Sequence, residues 1–267
     1  MKTLSILSIG NSFSADTMEF LAPIALHAGY ERVFMCNLYI GGCSVRKHLH
    51  NAQNGIAYPC FTDDGTGWIQ TDSADIAHAV ESRDWDVINI QQGTLDGSCY
   101  SNLADYDDLP ALIAFVRAHA NEHAHITFNM TWVGEPDFDH HEIKAYGGDT
   151  KKLFGDILAL TKNHISPLVG LDAVSPTGLA IQLARAEYDG RLTCDGYHLS
   201  KGIGRFTAAL TFLQAVTETC IESLDWSPEN VTETEKTIAL SCAKQADRKS
   251  TRLNSSHRCT SRMPSSA

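Results

Sequence analysis

Five short apolar runs, at residues 4–9, 33–38, 87–90, 126–130 and 171–174, each end in small or polar residues. Between them lie longer stretches with apolar residues three and four apart, at residues 17–28, 73–81, 109–120, 151–163 and 203–219. Near-continuous apolar strands are what a sheet covered on both faces requires, and helical repeats between them supply the covers. The alternation predicts an α/β chain, a three-layer α/β/α sandwich of flavodoxin-like type with about five parallel strands. Residues 58–71 set Gly65 and Gly67 between aromatic and β-branched residues and predict an inserted hairpin or loop. Residues 132–145 form a second long connection, the kind of segment on which such folds carry function. There is no internal repeat.

With 267 residues, 43% of them hydrophobic, the chain can bury a full core as one domain, expected over residues 1–246. A formal net charge of −11 disfavours a phosphate-backbone partner, so no nucleic acid is expected. No apolar run approaches the roughly 20 residues that a bilayer needs, so no membrane partner is expected either. Met1-Lys2-Thr3 enters the first strand at once, without the pattern of a secretory leader, and the expected location is cytoplasmic. Eight cysteines (Cys36, Cys43, Cys60, Cys99, Cys194, Cys220, Cys242 and Cys259) show no CxxC pair and no even ladder of spacings. They read mostly as buried thiols, and no cofactor is expected.

Residues 247–267, "DRKSTRLNSSHRCTSRMPSSA", have no helical or strand periodicity and the composition of a disordered tail. "DRKSTRLNSSH" followed by "SRMPSSA" also resembles the conceptual translation of a common sequencing adapter with a short index between its halves. The segment is therefore expected to be a non-native read-through, the alternative being a basic tail that binds something acidic. It holds five basic residues and one acid, so the chain without it carries −15.

Open parallel sheets bind ligands outside the carboxyl ends of their strands. After the first run comes Gly10-Asn11-Ser12; after the second, Ile40-Gly41-Gly42-Cys43-Ser44; after the third, Gln91-Gln92-Gly93-Thr94; after the fourth, Thr131-Trp132. Beyond the last run, and before a helix, stands Cys194-Asp195-Gly196-Tyr197-His198-Leu199. These edges hold a hydroxyl, a glycine turn, a side-chain amide and an Asp/His pair, the parts that acyl transfer needs. A serine hydroxyl attacks only when a base takes its proton, and histidine suits that task near neutral pH. An Asp three residues before the histidine can accept Nδ1–H and turn Nε2 toward the serine. The oxyanion then needs donors, for which Ser12 N–H, Gly42 N–H and the Gln92 amide are the candidates. Taken singly, each has a bland reading: Ser12 as a helix N-cap, Asp195-Gly196 as a turn, Gly41-Gly42 as a tight connection.

The order of these parts carries a resemblance. "IGNSFS" resembles the first block of the GDSL/SGNH hydrolases, "NLYIGG" their second, with Gly42 as the oxyanion glycine, and "DGYHLS" their final DxxH block. "IGNSFS", "LYIGGCS", "WDVINIQQ", "TW", "PTG" and "DGYHLS" together are similar to a bacterial family of SGNH-hydrolase-like proteins without an assigned activity. The likeness spans residues 4 to about 216. It implies Ser12 as nucleophile, His198 as base and Asp195 as its orienter. The usual third block, GxND, is absent: the strand ends in Gln91-Gln92-Gly93-Thr94, which partly resembles the Gln-Gly-Glu block of carbohydrate-esterase branches. Gln92 is therefore the expected third donor of the oxyanion hole, and Gln91 its competitor, placed otherwise against the substrate.

The function expected is a serine esterase that hydrolyses a small acyl ester through an acyl-enzyme, an O-acetylated carbohydrate being the leading substrate. The GxSxG elbow of α/β-hydrolases does not occur around Ser12. Two other classes compete: a carbohydrate- or ester-binding module of the same fold without turnover, and a metal-dependent hydrolase using Asp137-Phe138-Asp139-His140-His141-Glu142. The latter stretch has no HExxH spacing, and adjacent histidines on a polar loop read as solvated, so no metal site is expected. His119, His123 and His125 read as complements of a helix end. Trp132 reads either as core packing or as a wall of the acyl or sugar pocket.

Overall fold

The structure, a computed structural model, describes residues 2–92, 107–217 and 219–254, with side chains described as far as residue 249. Seven strands form one sheet: β1 (Thr3–Gly10), β2 (Arg32–Tyr39), β3 (Tyr58–Asp63), β4 (Ile69–Ala74), β5 (Val87–Gln91), β6 (His125–Asn129) and β7 (Ala173–Ser175). Their order is β4-β3-β2-β1-β5-β6-β7. The five expected strands pair in parallel as β2-β1-β5-β6-β7, the flavodoxin-like arrangement, whose switch point lies between β1 and β5. The expected insertion is a hairpin, β3 with β4, and it joins the β2 edge antiparallel, so the sheet has seven strands instead of about five.

Ten α-helices are described: α1 (Ser12–Met18), α2 (Leu21–His27), α3 (Val45–Gln53), α4 (Ile76–Glu81), α5 (Leu109–His119), α6 (His141–Ala145), α7 (Thr150–Leu160), which continues as a π-helical turn over Thr161–Ile165, α8 (Thr177–Glu187), α9 (Ile203–Thr217) and α10 (Glu233–Asn254). The single helix expected over residues 17–28 is two, and Pro23 is the reason. Its ring clashes with the carbonyl four residues back, Glu19, so the chain breaks between Glu19 and Leu21. Residues 73 and 74 belong to β4, and α4 starts only after Asp75, whose carboxylate accepts the His78 amide as an N-cap. α10 runs eight residues into the segment expected to be aperiodic, and Asp247 accepts a hydrogen bond from Gln214 Nε2. Residues 255–267, with the rest of the expected read-through, lie outside the described residues, as do Gly93, Thr94 and Cys99.

Each face of the sheet has its own apolar core. Leu7, Ile9, Leu38, Ile88 and Ile90 pack with α3 to α7, while Leu4, Ile6, Met35 and Val87 pack with α1, α2 and α8 to α10. The second face changes character toward the carboxyl ends of the strands. There Asn37, Asn89, Thr127 and Asn129 are buried, and they bond to one another and to α1. Ser14 Oγ donates to Asn37 Oδ1 at 2.8 Å, Asn129 Nδ2 to Thr17 Oγ1 at 3.0 Å, and Asn89 Nδ2 to Ser8 Oγ at 3.0 Å. Directional bonds in a dry interface fix the seating of α1 more narrowly than apolar contact does. Of the cysteines, Cys36, Cys43, Cys60 and Cys242 are buried, and Cys194 and Cys220 are exposed. Among the described residues no helix is long and apolar enough to cross a membrane.

Candidate active site

The chain leaves β1 at Gly10 and turns at once into α1. The N-cap is Asn11: its Oδ1 accepts the Phe13 amide at 3.0 Å, and its Nδ2 donates to the Cys43 carbonyl at 3.1 Å. Ser12 is therefore the first residue of the helix and not its cap, which leaves its hydroxyl uncommitted to the backbone. The first-turn amides of Ser14 and Ala15 reach the Asn11 carbonyl, whereas the Ser12 N–H makes no hydrogen bond among the described residues. A free N–H at a helix start is where an anion is best received. Asn11 also joins the first turn to the second: Gly41 and Gly42 are exposed, and Cys43 N closes a tight turn on the Ile40 carbonyl at 3.1 Å. The Gly42 N–H makes no hydrogen bond among the described residues.

Both glutamines are fully buried. Gln92 Oε1 accepts the Val45 amide at 2.9 Å, at the start of α3, which fixes its side chain beside the glycine turn and leaves Nε2 as its one donor group. Gln91 lies on the α1 face of the sheet, packed so closely on Gly10 that a Cβ there would stand 3.2 Å from its Oε1. Neither Oε1 nor Nε2 of Gln91 has a hydrogen-bond partner among the described residues.

The last block forms a loop closed on itself. Asp195 Oδ1 accepts the Tyr197 and His198 amides at 3.0 and 2.8 Å, and its Oδ2 accepts His198 Nδ1–H at 2.6 Å. Burial raises the Asp195 pKa, but the His198 hydrogen bond and the two amides outweigh it and hold the carboxyl below its ordinary value. Nδ1 is engaged in that bond; Nε2, the other ring nitrogen, is buried and has no hydrogen-bond partner among the described residues. The His198 ring stands edge-on to Phe13, centroids 6.0 Å apart, so the residue next to Ser12 touches the imidazole while Ser12 Oγ itself is not yet bonded to it.

Four contacts hold this loop in place. Leu199 N donates to Asp16 Oδ2 at 2.7 Å, Trp132 Nε1 to the Tyr197 carbonyl at 2.7 Å, Glu135 N to the Gly196 carbonyl at 2.6 Å, and Thr193 Oγ1 to Glu135 Oε1 at 2.9 Å. Gly196 has φ +108°, and a Cβ there would stand 2.4 Å from the Phe138 ring, so only glycine fits. Trp132 is fully buried and stacks on Phe13 with centroids 4.4 Å apart. Of its two expected readings, this burial and this stack match the packing one. Asp16 and Arg205 were not among the expected site residues. Arg205 bonds Asp16 Oδ1 at 2.7 Å and Glu19 Oε2 at 2.8 Å, and burial pushes Asp16 up to about 6 against the pull of that guanidinium.

The acidic and histidine-rich stretch does not converge. Asp137 pairs with Arg191, Asp139 with Lys144, and His140 Nδ1 accepts the Glu142 amide at the start of α6. Among the described residues no three His, Cys, Asp or Glu side chains are grouped as metal ligands. His119, in the last turn of α5, faces Glu81 at 2.6 Å.

The family profile described as "Domain of unknown function (DUF4886)" matches residues 5–246. A DUF4886 family protein from Bacteroides uniformis ATCC 8492, solved by crystallography, is similar with a TM-score of 0.84 and 31% identity, over 92% of this chain and 95% of that one. LAE5, an alpha/beta hydrolase enzyme from the metagenome of Lake Arreo, Spain, is similar with a TM-score of 0.50 and 14% identity, over 80% and 94%. That second likeness is one of fold alone. No curated protein matches the chain.

Proposed function

The chain belongs to the DUF4886 family, and on an SGNH-like fold with this site we propose that it is a serine esterase acting on small acyl esters, with O-acetylated carbohydrate as the substrate class. The observation that carries the reading is the Asp195 to His198 hydrogen bond of 2.6 Å, which commits Nδ1 and leaves Nε2 buried and unpartnered on a ring that stands edge-on to Phe13, the residue after Ser12.

In this reading Ser12 Oγ attacks the ester carbonyl as His198 Nε2 takes its proton, and Asp195 stabilises the imidazolium that results. Charge on the carbonyl oxygen is met by the Ser12 and Gly42 amides, and by Gln92 Nε2, whose oxygen is already held by Val45. Collapse expels the alcohol, which takes the proton from Nε2, and leaves Ser12 acylated. Water activated by the same nitrogen then releases the acid. Gln91, at the side of Gly10, is the competitor for the third donor. Removing one such donor typically costs about 10²–10³ in turnover.

A fluorophosphonate probe is expected to label wild type and not Ser12→Ala. Equal labelling of both overturns the assignment. A protein that takes no label and hydrolyses no short ester, yet still binds an ester or sugar, is the binding module of the alternative reading.

A further inference from the structure

A cavity of about 740 Å³ lies between α1, the end of β2 and the β3–β4 hairpin. It is within the range of small-molecule sites. Three observations tie it to Ser12. Ala15 and Glu19 line it, and with Ser12 they make one stripe along α1, three and four residues apart; all three are half-exposed, while Phe13, Ser14, Asp16, Thr17 and Met18 are buried. Ala15 stands one turn, roughly 4.5 Å, along the helix from Ser12. On the opposite wall the Tyr39 hydroxyl reaches to 3.6 Å from the Cβ position of Gly41, beside the glycine turn.

The lining combines rings with polar atoms that are half used. Tyr39 and Phe61 meet edge to face with centroids 5.8 Å apart, and Trp68 completes the aromatic wall without stacking on another ring among the described residues. Asp63 Oδ1 accepts the Gly65 and Gly67 amides at 2.8 and 2.9 Å, Glu19 Oε2 takes Arg205, and Asn37 Oδ1 takes Ser14. Asp63 Oδ2, Glu19 Oε1 and Asn37 Nδ2 make no hydrogen bond among the described residues, and Trp68 Nε1 is buried without an acceptor.

Two carboxylate oxygens, an amide donor and flat rings match a ligand with hydroxyls on its edge and C–H groups on its faces. An aliphatic acyl chain would strip water from Asp63 and Asn37 and give nothing back. No Lys or Arg lines the cavity to receive an anionic sugar, and Glu19 is already neutralised by Arg205. We propose that this cavity is the subsite for the alcohol portion of the substrate and takes a neutral sugar ring, stacked on Trp68. The assignment rests on the esterase reading for the word "alcohol" but not for the sugar.

Calorimetric titration with xylobiose, cellobiose and, separately, hexanoate tests it on wild type, Ser12→Ala, Trp68→Ala, Trp68→Phe and the exposed control Val169→Ala. A disaccharide is expected to bind wild type, Ser12→Ala and Val169→Ala alike at millimolar concentration, to bind Trp68→Ala about tenfold more weakly, and to be largely retained by Trp68→Phe. Trp68→Phe keeps a ring in the wall, so it separates lost stacking from lost folding. Absence of disaccharide binding by wild type, undiminished binding by Trp68→Ala, or hexanoate binding that depends on Trp68 overturns the proposal. Sugar binding without hydrolysis of any acetylated sugar overturns the esterase reading and leaves the subsite standing; ester hydrolysis without sugar binding does the reverse.

Discussion

Leu199 N donates a hydrogen bond of 2.7 Å to Asp16 Oδ2, and so fastens the residue after His198 to the helix that begins with Ser12. The two halves of the site lie 183 residues apart in the chain at this bond, and a buried carboxylate is an expensive fastener. Arg205 holds the other oxygen at 2.7 Å and bonds the Leu199 carbonyl through Nε at 3.0 Å, so helix, loop and α9 share one polar knot.

That knot gives stability a pH dependence. Burial pushes Asp16 up to about 6, above its value in an unfolded chain. Folding therefore favours the protonated carboxyl, and the stability it contributes is complete below about pH 4 and lost as pH rises through about 6. The full difference is on the order of 3 kcal/mol. Asp16→Asn lacks this titration, so its stability relative to wild type is expected to rise by up to about 3 kcal/mol between about pH 4 and 7. Urea unfolding at several pH values reads it, and a wild type that gains on the variant over that range shows the Arg205 pair outweighing burial.

The parallel sheet was legible because strands buried on both faces have to be apolar, and β1, β2, β5 and β6 fall where the runs predict. Other parts depend on contacts that no local pattern carries. The break at Phe20 follows from Pro23, a local cause that the apolar period overrode. α8 was hidden because its second residue is Gly178, a poor helix former needed where a Cβ would stand 1.8 Å from the Thr131 carbonyl. Asp195 and His198 were legible as a pair since three residues separate them, whereas Asp16 reads as an ordinary helical acid until its distant partners are known. Trp132 illustrates the limit: its place after β6 marked it for the site, but only packing distinguishes a pocket wall from a prop.

Gly196→Ala is expected to destabilise the chain by about 3 kcal/mol or more, from a strained φ and a Cβ pressed into Phe138. Phe138→Ala in the same chain removes the collision and leaves the φ strain, so it should return part of the loss. Chemical denaturation of Gly196→Ala, of Phe138→Ala alone and of the double variant separates the two contributions; full recovery in the double variant, relative to Phe138→Ala, shows that backbone conformation costs nothing here.

Asp195→Asn keeps the shape of the loop but offers Nδ1 a weaker and ambiguous partner, so the wrong histidine tautomer becomes accessible. Turnover of a short-chain ester is expected to fall by about 10³–10⁴ with little change in Tm, since one carboxamide oxygen can still accept the Tyr197 and His198 amides. A variant with near-normal turnover removes Asp195 from the proposed machinery.

Trp132→Phe tests whether Trp132 positions the proposed base or lines the substrate pocket. The substitution preserves the stack on Phe13 but deletes the donor that holds the Tyr197 carbonyl at 2.7 Å, in the residue before His198. A half-buried carbonyl left without its donor costs up to about 1–3 kcal/mol, a cost the loop is expected to relieve by moving. If the displaced group is the base, as proposed, and not a binding wall, the loss should fall on kcat and leave KM of a small ester nearly unchanged. If KM rises while kcat holds, Trp132 contacts substrate after all, and the pocket-wall reading replaces the positioning one.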